Sequence, residues 1–268
     1  MARTDTLPHF LTDVADAIRT KGGTVADIQA SSFDTAIANL PSGGTDWTEL
    51  GYTGEPDCFG DIFDYDKNIK DTWNASITSC YQKYAANYSV VYFPVVDTSN
   101  VTTMQSMFDT AMALQKVPTL DTKKVTSFYY FCKNCRSLRE VGDIETTHNN
   151  SVEFYQAFQT CTSLEIAPMI KTAGAVSMYG IFQSCSALKD VPQWQISGTI
   201  SQMSNAFSGC TSLTSTSLNN IMGCIANAAA FSGTKKLSSI GFTSGQATTC
   251  TGLSNWDSLV EQGWTTGY

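Results

Sequence analysis

The residue spacing most open to chemistry in this 268-residue chain is Cys132-Lys-Asn-Cys135. Two thiols at C-x-x-C spacing can ligate zinc or cycle as a redox pair. Zinc needs a second pair of ligands, and the sequence places none at a matching spacing. Asp64-Tyr-Asp66-Lys-Asn68 resembles the start of a calcium loop. It has Ile69 where the sharp-turn Gly belongs and Ala75 where the bidentate Glu belongs, so it reads as a solvated acidic turn. The two histidines, His9 and His148, stand in no Ser/His/Asp or Cys/His setting and default to surface roles. There is no Walker loop, no G-x-G-x-x-G after a strand and no H-E-x-x-H. No carboxylate pair is singled out for glycoside cleavage. The chemistry-bearing residues therefore imply no enzyme, no metal and no cofactor.

Composition narrows the class further. The chain is 42% hydrophobic and 11% aromatic with seven prolines, which is ordinary for a folded protein. A net charge of -8 and a pI near 4.7 leave no clustered cations to neutralise phosphates, which excludes nucleic acid as a partner. No apolar run approaches the ~20 residues that cross a bilayer, and the start lacks the pattern of a secretory signal, so a soluble, non-membrane protein is expected. Nine cysteines, an odd number with no sign of export, read as free thiols. The sequons at Asn74, Asn87, Asn100 and Asn149 carry little weight without a secretion signal.

The elements that hold these residues follow from an internal repeat. Val90, Leu114, Leu138, Leu164, Leu188, Leu213 and Leu237 recur at intervals of 24, 24, 26, 24, 25 and 24 residues. Tyr84, Phe108, Cys132, Phe158, Phe182, Phe207 and Phe231 recur at the same six intervals. A third column runs Phe93, Val117, Val141, Ala167, Val191, Thr216, Ile240. A fourth runs Ala111, Cys135, Cys161, Cys185, Cys210, flanked by Asn87 and Thr234. Cys132 and Cys135 thus belong to two structural columns, and the same-position cysteines read as compact buried hydrophobes. Within a unit, Val101, Met104, Met107 and Phe108 fall on one helical face, with Thr98, Ser99 or Asn100 as a cap. The following "LQKVPTL" reads as a short strand ended by Pro. A unit this short cannot bury its own apolar face, so units must stack as a parallel solenoid around one continuous core. The expected fold is α/β, with one short strand and one helical segment per ~24-residue repeat.

"DTSNVTTMQSMF", "SLREV" and "AFSGCTSL" resemble the BspA-like class of bacterial leucine-rich repeats over roughly residues 60 to 243. That resemblance implies a leucine-rich-repeat solenoid and, by the habits of the class, a surface adhesin or a protein of phages that infect gut bacteria. The pattern departs at "IETTHNNSVEF", with two inserted residues, and at "AAAFSGTKKL", where Thr234 replaces Cys.

The ends differ in kind. Residues 1–44 read as a small helical hairpin before a Gly-rich linker. Leu11, Val14 and Ile18 form one apolar stripe and Phe33, Ile37 and Leu40 another. "LTDVADAIRTKGG" and "SFDTAIANL" are similar to an N-terminal module of virion structural proteins of such phages. The stripe serves either anchoring and oligomerisation or capping of the first rung. Residues 45–80 are expected to cap the solenoid, 81–243 to form the repeats and 244–268 to close the other end.

What remains is surface. Residues just after the Leu column should face outward, and Tyr92, Lys116, Arg139, Glu140, Glu165, Lys189 and Asp190 are the candidate ligand contacts. The resulting expectation is a non-enzymatic phage virion protein, an attachment or decoration component. It would bind other virion proteins or itself as a homo-oligomer through the N-terminal module. A bacterial surface protein or glycan would meet the repeat face. The alternative is a BspA-like adhesin on a bacterial cell surface.

Overall fold

The computed structural model describes residues 69–70, 72–147 and 150–268. The expected helical hairpin, its stripe residues Leu11, Val14, Ile18, Phe33, Ile37 and Leu40, His9, the Asp64–Asn68 turn, most of the 45–80 cap and His148 lie outside the described residues.

Ile69–Tyr268 form one compact unit, and it is a parallel β-solenoid. Its strands are two to four residues long and fall into three stacks. β1 (Lys116–Val117) pairs with β2 (Glu140–Val141). β3 (Ile144–Thr146), β5 (Ile170–Thr172) and β7 (Gln195–Ile196) form a second stack in that order. The third stack is β4 (Val152–Glu153), β6 (Val176–Ser177), β8 (Thr199–Gln202) and β9 (Ala230–Phe231). Every pairing is parallel. Ile144 pairs with Ile170 but Val152 with Val176, so the two inserted residues of this coil are absorbed between β3 and β4 without breaking either stack.

The expected helical segment in each repeat is corrected. Thr103 to Leu114 is a chain of tight turns, in which Met107, Asp109 and Ala111 donate N–H bonds to the carbonyls three residues back. The alternate N–H groups of Met104, Ser106, Phe108 and Thr110 donate to Ser127, Tyr129, Phe131 and Lys133 on the next coil. An α-helix would consume all of these donors internally and leave none to tie the coils together. The geometry requires a left-handed residue at the third position of two turns per coil. Gln82, Ser106, Tyr130, Gln156, Gly180 and Asn205 fill one such column, and Ala86, Thr110, Asn134, Thr160, Ser184 and Gly209 the other, all at positive φ. Val101, Met104, Met107 and Phe108 still point inward and are fully buried, because successive turns repeat the inward direction at nearly helical spacing.

The expected cap residues serve as clasps between coils instead. The Thr98 hydroxyl donates to the Asp121 carbonyl at 2.9 Å, and Thr122 does the same to Glu145 at 2.9 Å. Thr146 donates to the Thr172 hydroxyl at 2.8 Å, completing a buried hydroxyl column. Asn100 reaches back to the Ala75 carbonyl and accepts from Lys124 on the next coil.

Apart from the helical Ile69, Lys70 and Thr72 at the start of the described residues, the described α-helices follow the regular repeats. α1 (Ser215–Asn227) begins at an N-cap, Thr214, whose side chain accepts from the Ser217 N–H. The Ser217 hydroxyl donates to the Lys189 carbonyl at 2.8 Å and accepts from the Val191 N–H at 2.9 Å. It thereby replaces the strand that would otherwise have paired there. α2 (Ser244–Cys250) opens with a capping box at Thr243 and Gln246, and α3 (Trp256–Glu261) packs on α1.

The helix also shifts the last rung out of the expected columns. Phe231 lies in β9 and pairs with Ile200, whereas Phe207 is followed in space by Phe242, with ring centroids 5.9 Å apart. Thr216 sits in α1 rather than on a strand. Leu259 and Trp264 are buried at this end of the chain, Trp264 against Phe231 at 4.7 Å.

Candidate functional site

The cysteine column shows why a thiol recurs at that position. Cys135, Cys185 and Cys210 each donate an S–H to the carbonyl of Phe108, Phe158 and Phe182 on the preceding coil at 3.0 Å. Cys161 does so to Cys132 at 3.1 Å. A Ser would shrink the apolar contact and an Ala would lose the donor, whereas Cys supplies both in one small volume. All eight described cysteines are buried and free. Burial pushes the Cys132 and Cys161 thiols well above their ordinary range, Cys80 to about 11, and Cys224 and Cys250 to about 12. Neutral, buried thiols are neither nucleophiles nor ready metal ligands. Among the described residues, no group of three or more His, Cys, Asp or Glu side chains is placed to hold a metal ion.

The outward residues after the Leu column are partly brought together. Tyr92 and Lys116 are bridged as neighbours, and Lys116 is in register with Glu140. The Lys116 ammonium meets the Glu140 carboxylate at 2.8 Å, and Lys189 meets Glu165 at 2.9 Å. Thr214 donates weakly to Asp190, at 3.5 Å, and the Tyr92 hydroxyl to Gln115 at 3.3 Å. The row is therefore largely self-satisfied, and Arg139 is its one cation without a side-chain partner among the described residues. At Thr214–Ser215 the row ends in the start of α1.

A second array, which the outward-column reasoning passed over, lies on the turns after the third strand stack. Tyr129, Tyr155 and Tyr179 stack face to face, with centroids 4.8 Å apart in both steps and planes within 8° and 10°. Tyr130 tilts against Tyr129 at 4.2 Å, and the Lys133 ammonium sits 3.8 Å over the Tyr130 ring. Gln183 accepts from Gln156 and Gln159, extending the array with amides. The Tyr130 side chain hydrogen-bonded to Tyr129 holds the Tyr129 phenol above its usual range, and desolvation does the same for Tyr155. Both phenols are neutral donors at neutral pH. The signal was present in the sequence, since Tyr81, Gln105, Tyr129, Tyr155, Tyr179 and Ser204 keep the 24, 24, 26, 24, 25 spacing of the core columns.

No helix among the described residues is long and apolar enough to cross a membrane. Fixed inward columns with varied, aligned outward ones define a repeat solenoid of the kind that serves as a surface or binding scaffold. The chain belongs to the family described as "Mycoplasma protein of unknown function, DUF285", which it matches over residues 75–185 and again over 176–237. This is a BspA-related repeat family, in keeping with the resemblance carried by the repeat motifs. No curated protein and no solved structure matches the chain.

Proposed function

We propose that this protein is a non-enzymatic binding solenoid of a phage virion, an attachment or decoration component displayed toward a bacterial surface. The observation that carries the binding role is the division of each coil. Its buried columns are nearly constant, while its outward columns change type from coil to coil and include the partly buried Tyr129, Tyr155 and Tyr179 stack. Aromatic rings flanked by amides and a cation suit recognition better than solubility, which charged side chains alone would supply. The virion context is supported by the similarity of residues 1–44 to a phage structural module. The stripe of Leu11, Val14, Ile18, Phe33, Ile37 and Leu40 would provide anchoring or homo-oligomerisation there.

Mass spectrometry of purified virions tests this reading directly, with the chain expected among the particle proteins. Serine at Val14, Ile18, Phe33 and Ile37 is expected to abolish incorporation, while the repeat domain of the variant keeps its circular dichroism spectrum. The second reading, an adhesin on a bacterial cell surface, is favoured by the bacterial source in the family's description. Recovery of the chain in the host surface fraction and its absence from particles would decide for the adhesin.

A further inference from the structure

We propose that the outer face of the β3-β5-β7 stack, walled by the C-terminal end of α1, is a binding cleft for a neutral saccharide. The proposal rests on the binding-scaffold reading above and gives that scaffold a site and a ligand class.

The floor of the cleft is set by strand register. Glu145 pairs with Lys171, and Lys171 with Gln195, so three outward side chains stand in one row across the stack. Gln193 and Ser197 flank that row on the β7 coil, and Asn227 closes one side from the last residue of α1. The cleft is open to solvent and its volume is about 670 Å³, within the range of small-ligand sites and enough for a short run of sugar rings. The cleft depends on the same event that ends the regular repeat, because a further strand in place of α1 would leave the stack flat and open.

The chemistry of the lining selects among ligands. The Lys171 ammonium lies 3.0 Å from the Glu145 carboxylate, so the two charges among the described lining residues cancel. An anion would have to approach that carboxylate, and a cation would meet the ammonium. An apolar ligand fares no better, because Trp194 and Ile196 are turned into the core, at 3% and 4% exposure. What the cleft offers is hydrogen bonding. The side chains of Gln193, Gln195, Ser197 and Asn227 have no hydrogen-bond partner among the described residues. Three primary amides and a hydroxyl present both donors and acceptors. Vicinal hydroxyls of a saccharide are the matching set, each able to donate and accept. The tyrosine stack is a poorer saccharide platform, since the Tyr155 ring faces are covered by its neighbours.

The test uses the full chain and three neutral probes, cellohexaose, maltohexaose and laminarihexaose, with polysialic acid as the charged control. Saturation-transfer NMR is expected to show contact with at least one neutral hexasaccharide and none with polysialic acid. The Gln195→Ala/Asn227→Ala double variant, which removes only exposed side chains, is expected to melt with the wild type and to lose at least fivefold in affinity by titration calorimetry. No transfer to any neutral probe, preference for polysialic acid, or a loss below fivefold would each overturn the proposal. Labelled protein applied to intact host bacteria separates the two claims. Equal binding by wild type and double variant would sink the cleft and leave the scaffold reading standing. Wild type that binds no cells while still binding a hexasaccharide would sink the scaffold reading and leave the cleft.

Discussion

Each buried thiol in the solenoid is both a packing atom and a hydrogen-bond donor, and the two roles predict different behaviours. Cys185→Ala removes the bond to the Phe158 carbonyl and leaves a small void, so urea unfolding should report a loss of about 1–2 kcal/mol. The raised thiols also make stability depend on pH. The unfolded chain releases their protons near pH ~8.5, while the native chain holds them until about 11 at Cys80 and about 12 at Cys224 and Cys250. Stability is therefore fully present below pH ~8.5 and is lost progressively as pH rises toward those folded values. Urea midpoints measured from pH 7 to 11 should be level at first and then fall. Iodoacetamide at pH 8 should label these three residues only after urea is added, as read by peptide mapping.

At the scale of the element, the turns and strands act through the contact of one coil with the next. Phe158 is fully buried and stacks on Phe182 at 5.2 Å, so Phe158→Ala should cost about 3–5 kcal/mol. The exposed Lys116–Glu140 pair should matter far less, with a double-mutant cycle giving under ~1 kcal/mol. Gly142, beside β2, lies close against the backbone of the preceding coil. A Cβ there would fall inside the backbone of Thr119 and Pro118, and backbone cannot swing aside as a side chain does. Gly142→Ala should therefore destabilise by about 1–3 kcal/mol, seen as a lower melting temperature at unchanged far-ultraviolet spectrum.

For the whole molecule, the issue is how a stack of coils stops. A parallel solenoid presents unpaired backbone and an open apolar layer at each end, and either one invites another chain. At the C-terminal end, α1 replaces a strand through Ser217 and Asn220, and Leu259 and Trp264 are buried in the segment that follows. Removing residues 244–268 should expose Ile240, Phe242 and the edge of β9. Light scattering after gel filtration is expected to show self-association of the truncated chain beyond that of the full one.

The 24-residue columns show why so much of the architecture was legible beforehand. Leu114, Leu138, Leu164 and Leu188 can recur with Phe158 and Phe182 only if each unit meets a copy of itself, so stacking, parallel strands and a continuous core were implied by the sequence. The turn spiral was not. Val101, Met104, Met107 and Phe108 point inward at the same spacing in a helix and in successive turns. The difference lies in whether Ser106 and Phe108 donate their N–H groups within the coil or to Tyr129 and Phe131 beyond it. The last rung misled for a similar reason, since Phe231 keeps the interval while α1 moves Phe242 into its place. The candidate surface was half legible, because Tyr129, Tyr155 and Tyr179 carry the period in their spacing. Nothing local says that Lys116 will be neutralised by Glu140, or that Asn227 will face Gln195. The sequence by itself determined the repeat, the buried columns and the free cysteines, because identical environments demand identical residues. Only the tertiary structure decided the backbone path and the outward faces, because inter-coil hydrogen bonds and side-chain neighbours depend on which coil lies beside which.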